Sequence, residues 1–269
     1  MSGLGASLGR IAAIMLRHVH LLTASWPRLL DLVYWPTVQL VLWGLITRFL
    51  AAESGWVAQA TGVFMSAVLL WDVLFRGQLG VSLCVLEEMY ARHLGHLFVS
   101  PLRPWELVVA IFAISLVRVL IGVGGAALLA IPIFRFWIGG ELGWSLVAFF
   151  ALMMGFGWAM GLIISGIVLR VGLGAESLAW AAIFLIQPLS GVYYPVATLP
   201  AWLQPVAWLL PTAPVFEGMR RVLREGVVDW GLLATALTVL AVWLVGAALA
   251  FLALFRSARR QGVLLQVGD

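Results

Sequence analysis

Two long stretches of the chain, Leu142–Leu169 and Leu232–Phe255, contain no charged side chain. A helix needs about 20 consecutive, mostly apolar residues to cross the hydrocarbon core of a bilayer, and each stretch is longer than that. The composition agrees, since 63% of the 269 residues are hydrophobic and only 10% are charged. A water-soluble fold cannot bury so much apolar surface. The sequence therefore predicts an all-α integral membrane protein.

Six segments are predicted to cross the membrane, within one transmembrane domain that covers residues 1–269. They are 29–49, 59–86, 105–134, 142–170, 176–193 and 230–256. Arginines and histidines interrupt residues 4–25, which predicts an amphipathic helix lying in the membrane interface. Residues 195–224 are rich in proline, which predicts a broken, re-entrant outer segment of short helices between the fifth and sixth spans.

The distribution of arginine sets the expected orientation, because inner loops of membrane proteins carry an excess of positive charge. With the N terminus inside, nine arginines fall in inner segments and five in outer ones. Three of those five cluster at 220–224, where Glu217, Glu225 and Asp229 offset their charge. We therefore expect a multi-pass protein of the inner (cytoplasmic) membrane, with both termini on the cytoplasmic side.

Three charged residues fall inside predicted spans, and such residues are candidates for functional sites. Asp72 and Arg76 are four residues apart on one helical face and are expected to neutralise each other. Arg118 has no such neighbour, so its expected partner is Asp72, for which Arg76 competes. The three residues are candidates for a translocation path, and a purely structural ion pair is an equal alternative.

Several chemistries are excluded by what the sequence lacks. All 16 basic residues other than histidine are arginine, which rules out a P-loop lysine and a Schiff-base lysine. The single cysteine, Cys84, rules out an internal disulfide and a multi-cysteine metal site. We predict no bound metal, no cofactor held by this chain and no nucleic-acid partner. The glycines of Ile121–Ala127 and the pair Gly157 and Gly161 are expected to serve helix packing.

Residues Glu87–Arg92 match the EExxxR signature of CAAX-type intramembrane proteases, in which glutamates and histidines activate water. Such an enzyme also needs histidines on later spans, and this chain has none after His96. His93 and His96 are three residues apart and lack an evident third metal ligand. The alternative interpretation of this motif is a solvated helix end in which Glu88 and Arg92 form a pair.

Two further segments carry a resemblance to a known family. Residues Glu87–Glu106, which include the run from Ser100 to Glu106 (SPLRPWE), resemble the cytoplasmic loop of type 2 ATP-binding-cassette (ABC) exporter permeases. Residues Leu189–Arg220, with their SGVYYP, LPAWLQP and EGMR motifs, resemble the region between the fifth and sixth spans of the same family. Permeases of drug, lipo-oligosaccharide and polysaccharide exporters are the most similar in style.

The resemblance implies a permease that is not itself an enzyme. ATP and Mg²⁺ would be bound by a separate ABC ATPase subunit, which docks on the loop 87–104. A second copy of the permease is expected, as a homodimer in the lipid bilayer. The substrate implied is an amphiphilic, lipid-linked or glycan molecule that is exported. The candidate residues for the ATPase-coupling interface are Glu87, Glu88, Arg92, His93, Leu97, Phe98, Ser100, Pro101 and Arg103.

The proline-rich segment is the expected outer gate of such a permease. Its candidate residues are Tyr193, Tyr194, Pro195, Trp202, Glu217 and Arg220. Tyrosine and tryptophan also gather at membrane interfaces, so an outer aromatic belt explains the aromatic members of this set equally well. A third function class stays open, that of a structural membrane protein with no transport cycle, which predicts no ATPase partner.

Overall fold

A computed structural model describes residues 3–53, 61–90 and 102–260, and within these ranges the protein is helical with no strand. The α-helices in chain order are α1 (Leu4–Thr23), α2 (Trp26–Glu53), α3 (Thr61–Tyr90), α4 (Pro104–Phe134), α5 (Ile138–Leu142), α6 (Ser145–Val171), α7 (Glu176–Ile186), α8 (Gln204–Trp208), α9 (Thr212–Glu225) and α10 (Trp230–Arg260). Three 3₁₀ turns lie at Leu173–Ala175, Gln187–Leu189 and Val196–Thr198. The prediction of an all-α integral membrane protein is confirmed.

Five of the described helices are long and apolar enough to cross a membrane, namely α2, α3, α4, α6 and α10. The predicted span over 176–193 is shorter in the structure, where α7 ends at Ile186 after 11 residues. At 1.5 Å per residue, α7 covers about 16 Å, roughly half of the ~30 Å hydrocarbon core. Pro188, which lacks a backbone N–H, lies in the 3₁₀ turn that follows. Six full crossings therefore stay a prediction.

Helix α3 is the central helix of the bundle. Most of its span is buried, and it packs against α6 on one side and against α2 and α4 on the other. Helix α10 packs on the outer side of α6, and only 11% of its most apolar window is buried. For α2 the buried share is 22%. These two helices therefore present large apolar faces that lipid or another chain must cover.

Helix α1 is amphipathic, as predicted, and it packs mainly against α4. Its buried residues Ser7, Ile11, His18 and Leu22 follow helical spacing along one face. The helix covers Leu4–Thr23, and its location in the membrane interface stays a prediction. The buried face carries polar side chains as well as apolar ones, and His18 on this face contacts carboxylates of α3.

Two glycines of α6 allow close contact with α3. A Cβ atom at Gly157 would lie 2.7 Å from the carbonyl oxygen of Leu74, and one at Gly161 would lie 2.6 Å from Cβ of Val81. Both distances are shorter than any real carbon contact, so the two backbones pack this closely only because both residues are glycine. The predicted packing role of this G-x-x-x-G pair is confirmed, and its partner is α3.

We expect the substitution Gly157→Ala to destabilise the protein by about 1–3 kcal/mol, because the added methyl group meets rigid backbone. The matched control is Gly246→Ala in α10, where a Cβ atom would meet nothing within 4 Å. Thermal unfolding of the purified protein, followed by tryptophan fluorescence, measures both effects. Equal unfolding midpoints for the two variants would contradict the packing described here.

Candidate functional site

Glu106, in the first turn of α4, binds Arg10 of α1. The Arg10 guanidinium donates from Nη2 to Oε1 at 2.6 Å and from Nε to Oε2 at 2.8 Å. The Glu106 carboxylate also accepts the backbone N–H of Arg103 at 3.0 Å, which caps the start of the helix. Glu106 is fully buried. A two-pronged pair of this kind fixes orientation as well as proximity, so it holds α1 against α4.

Glu88, near the end of α3, is the second buried carboxylate that faces α1. It is 3% exposed, and its Oε2 lies 2.9 Å from Nη1 of Arg17. Nε2 of His18 lies 3.7 Å from the other oxygen of Glu88. A buried charge is tolerated when opposite charge lies next to it. Glu88 and Glu106 therefore connect α1 to α3 and to α4 respectively.

Glu87 lies among three cationic side chains that come from three different helices. Its Oε2 is 3.3 Å from Nη2 of Arg118 and 3.4 Å from Nδ1 of His18, and its Oε1 is 3.8 Å from Nη1 of Arg28. The expected pairing of Arg118 with Asp72 is therefore wrong. The long arginine side chain extends from α4 toward the end of α3, where a carboxylate is available.

The predicted coupling residues fall into three groups. Residues 92–101, which include Arg92, His93, Leu97, Phe98, Ser100 and Pro101, lie outside the described residues. Glu88 is buried against α1, so its carboxylate does not face outward, and Glu87 is partly buried among cations. Arg103 is exposed at the start of α4. Among the described candidates, Arg103 is thus the one whose side chain is open to a partner.

Asp72 and Arg76 lie deeper along α3. Asp72 is 4% exposed, and its Oδ2 has no hydrogen-bond partner among the described residues. The two residues attract each other electrostatically, and Asp31 also attracts Arg76, but no ion pair within 4.0 Å forms between described residues here. The Nε of Arg76 likewise has no hydrogen-bond partner in the described part of the chain. The expected neutralisation therefore acts at a distance rather than by contact.

The same end of the bundle contains a possible ligand set for a metal ion. Ligand atoms of His18, Cys84 and Glu87 lie within 4.8 Å of one another. Sequence reasoning missed this cluster, because the three residues come from α1 and α3 and share no motif. Arg28 and Arg118 already compensate the negative charge of Glu87, and they would repel a divalent metal ion. We therefore assign no metal to these residues.

The candidate gate residues occupy the opposite end of the bundle. Tyr193 stacks on Trp43 of α2 with ring centroids 4.5 Å apart, and its hydroxyl accepts a hydrogen bond from Gln187 at 2.9 Å. Tyr194 donates to the carbonyl of Pro188. Trp202, in contrast, is 74% exposed. Both tyrosines are half-buried and held by contacts within the chain, whereas Trp202 has the exposure typical of an aromatic belt.

Glu217 and Arg220 hold the irregular backbone of residues 191–196 against α9. Arg220 is 4% exposed and donates from Nη2 to the carbonyl oxygens of Gly191, Val192 and Tyr194. Glu217 accepts the backbone N–H of Val196 at 2.7 Å and lies 3.4 Å from Nη1 of Arg220. Unpaired carbonyl groups are costly away from water, so Arg220 provides the donors that these carbonyls require.

The charge of His18 makes the attachment of α1 sensitive to pH. Burial lowers the pKa of His18, but its contacts with Cys84 and Glu87 outweigh burial and raise the pKa from 6.5 to about 9, against the opposing charge of Arg118. A raised pKa means that the folded state favours the protonated form. We expect this stabilisation to be complete below about pH 6.5 and to be lost as the pH rises through about 9.

Unfolding midpoints measured across that pH range test this prediction. In the variant His18→Gln, the stability should no longer decrease as the pH rises through about 9, because the glutamine side chain does not titrate. His20→Gln, which alters an exposed histidine of the same helix, serves as the control and should behave like the unmodified protein. The same decrease in all three proteins would show that another group is responsible.

Arg220→Lys should destabilise the protein by about 1–3 kcal/mol, because one ammonium nitrogen cannot occupy both the position of Nη2 at the carbonyl groups and that of Nη1 beside Glu217. Arg224→Lys, on the exposed side of the same helix, is the matched control and should have little effect. Thermal unfolding measures both variants. Equal stability of the two would contradict the structural role of Arg220.

The matches with known proteins agree with this architecture. The sequence model of the ABC-2 type transporter family matches residues 12–223, which is well over half of the chain and includes the charged end and the gate segment. No curated protein matches the sequence. The family resemblance given by the two motif regions is confirmed, and the chain belongs to the ABC-2 type transporter family.

Proposed function

We propose that this permease exports an amphiphilic, lipid-linked or glycan substrate, driven by a separate ATPase that docks on the loop 87–104. The observation that carries the proposal is the family match over residues 12–223, because members of this family are membrane components of ABC transporters. The chain has no lysine and therefore no P-loop. ATP and Mg²⁺ are accordingly assigned to the partner subunit.

The ion pairs around this loop support a coupling role. The loop connects α3 to α4, and both adjoining helix ends are tied to α1, through Glu88–Arg17 and Glu106–Arg10. A force applied to the loop would then act on α1, α3 and α4 together rather than bend a single helix. Such a force transmits a conformational change only if the partner has different affinities for the two states.

The transport cycle that follows is alternating access between the two sides of the membrane. Closure of the ATPase pair would move the loop, and the permease halves would rock about a path near Asp72, Arg76 and Arg118. The segment 195–224 would act as the outer gate. The compact packing of Tyr193 on Trp43 supports a closed state of that gate, since the ring pair must separate for the segment to leave α2.

A second copy of this chain is the proposed partner within the membrane. Helices α2 and α10 leave most of their apolar surface unburied, which gives a homodimer room to form. The orientation with both termini in the cytoplasm and the location in the inner membrane belong to the same proposal. They rest on the arginine distribution in the sequence.

The coupling proposal is tested by the double variant Leu97→Ser with Phe98→Ser in tagged permease, expressed with its ATPase and purified in mild detergent. We expect the variant to insert normally and to lose the ATPase and its associated ATP hydrolysis. Loss of apolar contact area at the docking groove is the physical reason. Retained ATPase and full transport would overturn the coupling role.

The matched control is Val227→Ser with Val228→Ser, which alters two adjacent apolar residues at the far end of the bundle. It should retain both ATPase and hydrolysis. Absence of any ATPase activity in the unmodified preparation would instead favour a structural membrane protein. Cleavage of a peptide substrate that is lost in Glu87→Ala would favour the protease alternative.

A further inference from the structure

A pocket with several charged side chains in its lining lies between α1, α2, α3 and α4. It has a volume of about 430 Å³, within the range of roughly 300–1,000 Å³ that is usual for small-molecule sites. Arg28, Arg76 and Arg118 line it together with Asp31 and Glu87. The other described pockets are lined almost entirely by apolar side chains. We call this cavity the arginine pocket.

The positive charge in the arginine pocket is not fully matched by the carboxylates. Glu87 alone is shared by Arg118, His18 and Arg28, at distances of 3.3, 3.4 and 3.8 Å. Glu88, the neighbouring carboxylate, is already bound to Arg17 at 2.9 Å. Asp31 and Asp72 attract the remaining cation, Arg76. The four cations His18, Arg28, Arg76 and Arg118 still outnumber the three carboxylates by one, so the local potential favours an additional anion.

Two guanidinium groups retain unused hydrogen-bond donors. The Nε atoms of Arg76 and Arg118 are buried and have no hydrogen-bond partner among the described residues. Arg118 is 6% exposed, and both side chains line the pocket. A buried donor without an acceptor is costly. The two carboxylates that attract Arg76 are Asp31 and Asp72, and neither forms an ion pair with it within 4.0 Å. A ligand with several acceptor oxygens would satisfy these donors.

The remainder of the wall is apolar. It consists of leucines from three helices, a proline and a glycine, namely Leu22, Leu32, Leu79, Leu83, Pro27 and Gly80. The entrance lies at Arg28 and Asp31, which are exposed at the start of α2, whereas Arg118 lies inside. A ligand that fits this arrangement has an anionic headgroup with an adjacent apolar part. Guanidinium groups bind phosphate oxygens by paired hydrogen bonds, and basic pockets between spanning helices bind lipid headgroups.

We propose that the arginine pocket binds the phosphate headgroup of an amphiphile that enters from the adjoining membrane leaflet. Arg28 meets the headgroup at the entrance, and Arg76 and Arg118 bind its oxygens inside. One part of this proposal rests on the proposed function, namely that the pocket is where a phosphate-bearing substrate is first held before transport. Binding itself requires neither the ATPase nor transport.

The test uses the purified permease without its ATPase and measures thermal stabilisation against ligand concentration. The probes are dioctanoyl phosphatidic acid, dioctanoylglycerol, which lacks the phosphate, and inorganic phosphate, which lacks the apolar part. We expect stabilisation by phosphatidic acid alone, since bound ligand stabilises the folded state. If inorganic phosphate stabilises the protein as strongly as phosphatidic acid does, the lipid part of the proposal is overturned. If dioctanoylglycerol stabilises it as strongly as phosphatidic acid does, the phosphate site is overturned.

Variants locate the binding in the arginine pocket. Arg76→Gln should weaken the apparent affinity for phosphatidic acid by about tenfold or more, the scale of one charge-assisted hydrogen bond. The affinity of Arg76→Lys for phosphatidic acid should lie between those of the unmodified protein and Arg76→Gln, because lysine keeps the charge but not the planar geometry. Arg170→Gln, an exposed arginine at the same end of the bundle, should leave the affinity unchanged.

Arg76→Gln could fold poorly, since it leaves Asp72 without its nearby positive charge. The double variant Arg76→Gln with Asp72→Asn removes both charges and should show the same loss of affinity. Unchanged affinity in this folded double variant would overturn the proposal. Failure of the permease to bind an ATPase would leave these measurements unaffected, so the two proposals fail independently.

Discussion

The arrangement of this protein depends on carboxylates that are buried where several helices meet and must be matched by arginine or histidine. Glu88 and Glu106 flank the connection between α3 and α4, and each is paired with a basic residue of α1. Removing the basic partner would leave a buried carboxylate without a compensating charge, which destabilises the folded state. Helix α1 is not one of the five described helices that are long and apolar enough to cross a membrane, and charge as well as apolar contact holds it in the bundle.

The helices themselves follow closely from the sequence, because hydrocarbon imposes a simple rule. Every backbone N–H and C=O must be paired within the chain, so a long uncharged segment such as Leu142–Leu169 has few alternatives to a helix. Five of the predicted spans overlap the long helices α2, α3, α4, α6 and α10. The contact of Gly157 and Gly161 with α3 follows from side-chain size. Within the fifth predicted span, α7 ends at Ile186, because the proline that follows removes a backbone N–H in a way that average hydropathy does not detect.

The candidate site was much less predictable. Local spacing indicated that Arg118 lacked a partner within its own helix, and it suggested Asp72 because both residues lie deep in their spans. The structure pairs Arg118 with Glu87, 31 residues away, and pairs Arg10 with Glu106, 96 residues away. Arginine reaches far along a helix surface, so the depth of its Cα atom is a poor guide to the position of its charge. The cluster of His18 with Glu87 and Glu88 was missed for a different reason, because it depends on the packing of α1 against α3, which local spacing does not predict.

The two ends of the bundle use arginine for different purposes. Arg220 donates from Nη2 to three carbonyl groups of residues 191–194, and its Nη1, which has no hydrogen-bond partner among the described residues, lies 3.4 Å from the carboxylate of Glu217. Arg76 and Arg118, at the other end, retain donors that no described residue accepts. Selection for stability alone would favour the first arrangement, because the Arg220 guanidinium faces both carbonyl acceptors and a carboxylate, whereas Arg76 forms no ion pair within 4.0 Å with a described residue. The proposed headgroup accounts for that difference, since an arginine that is satisfied only when a ligand is present couples occupancy of the pocket to the packing of α1, α2, α3 and α4.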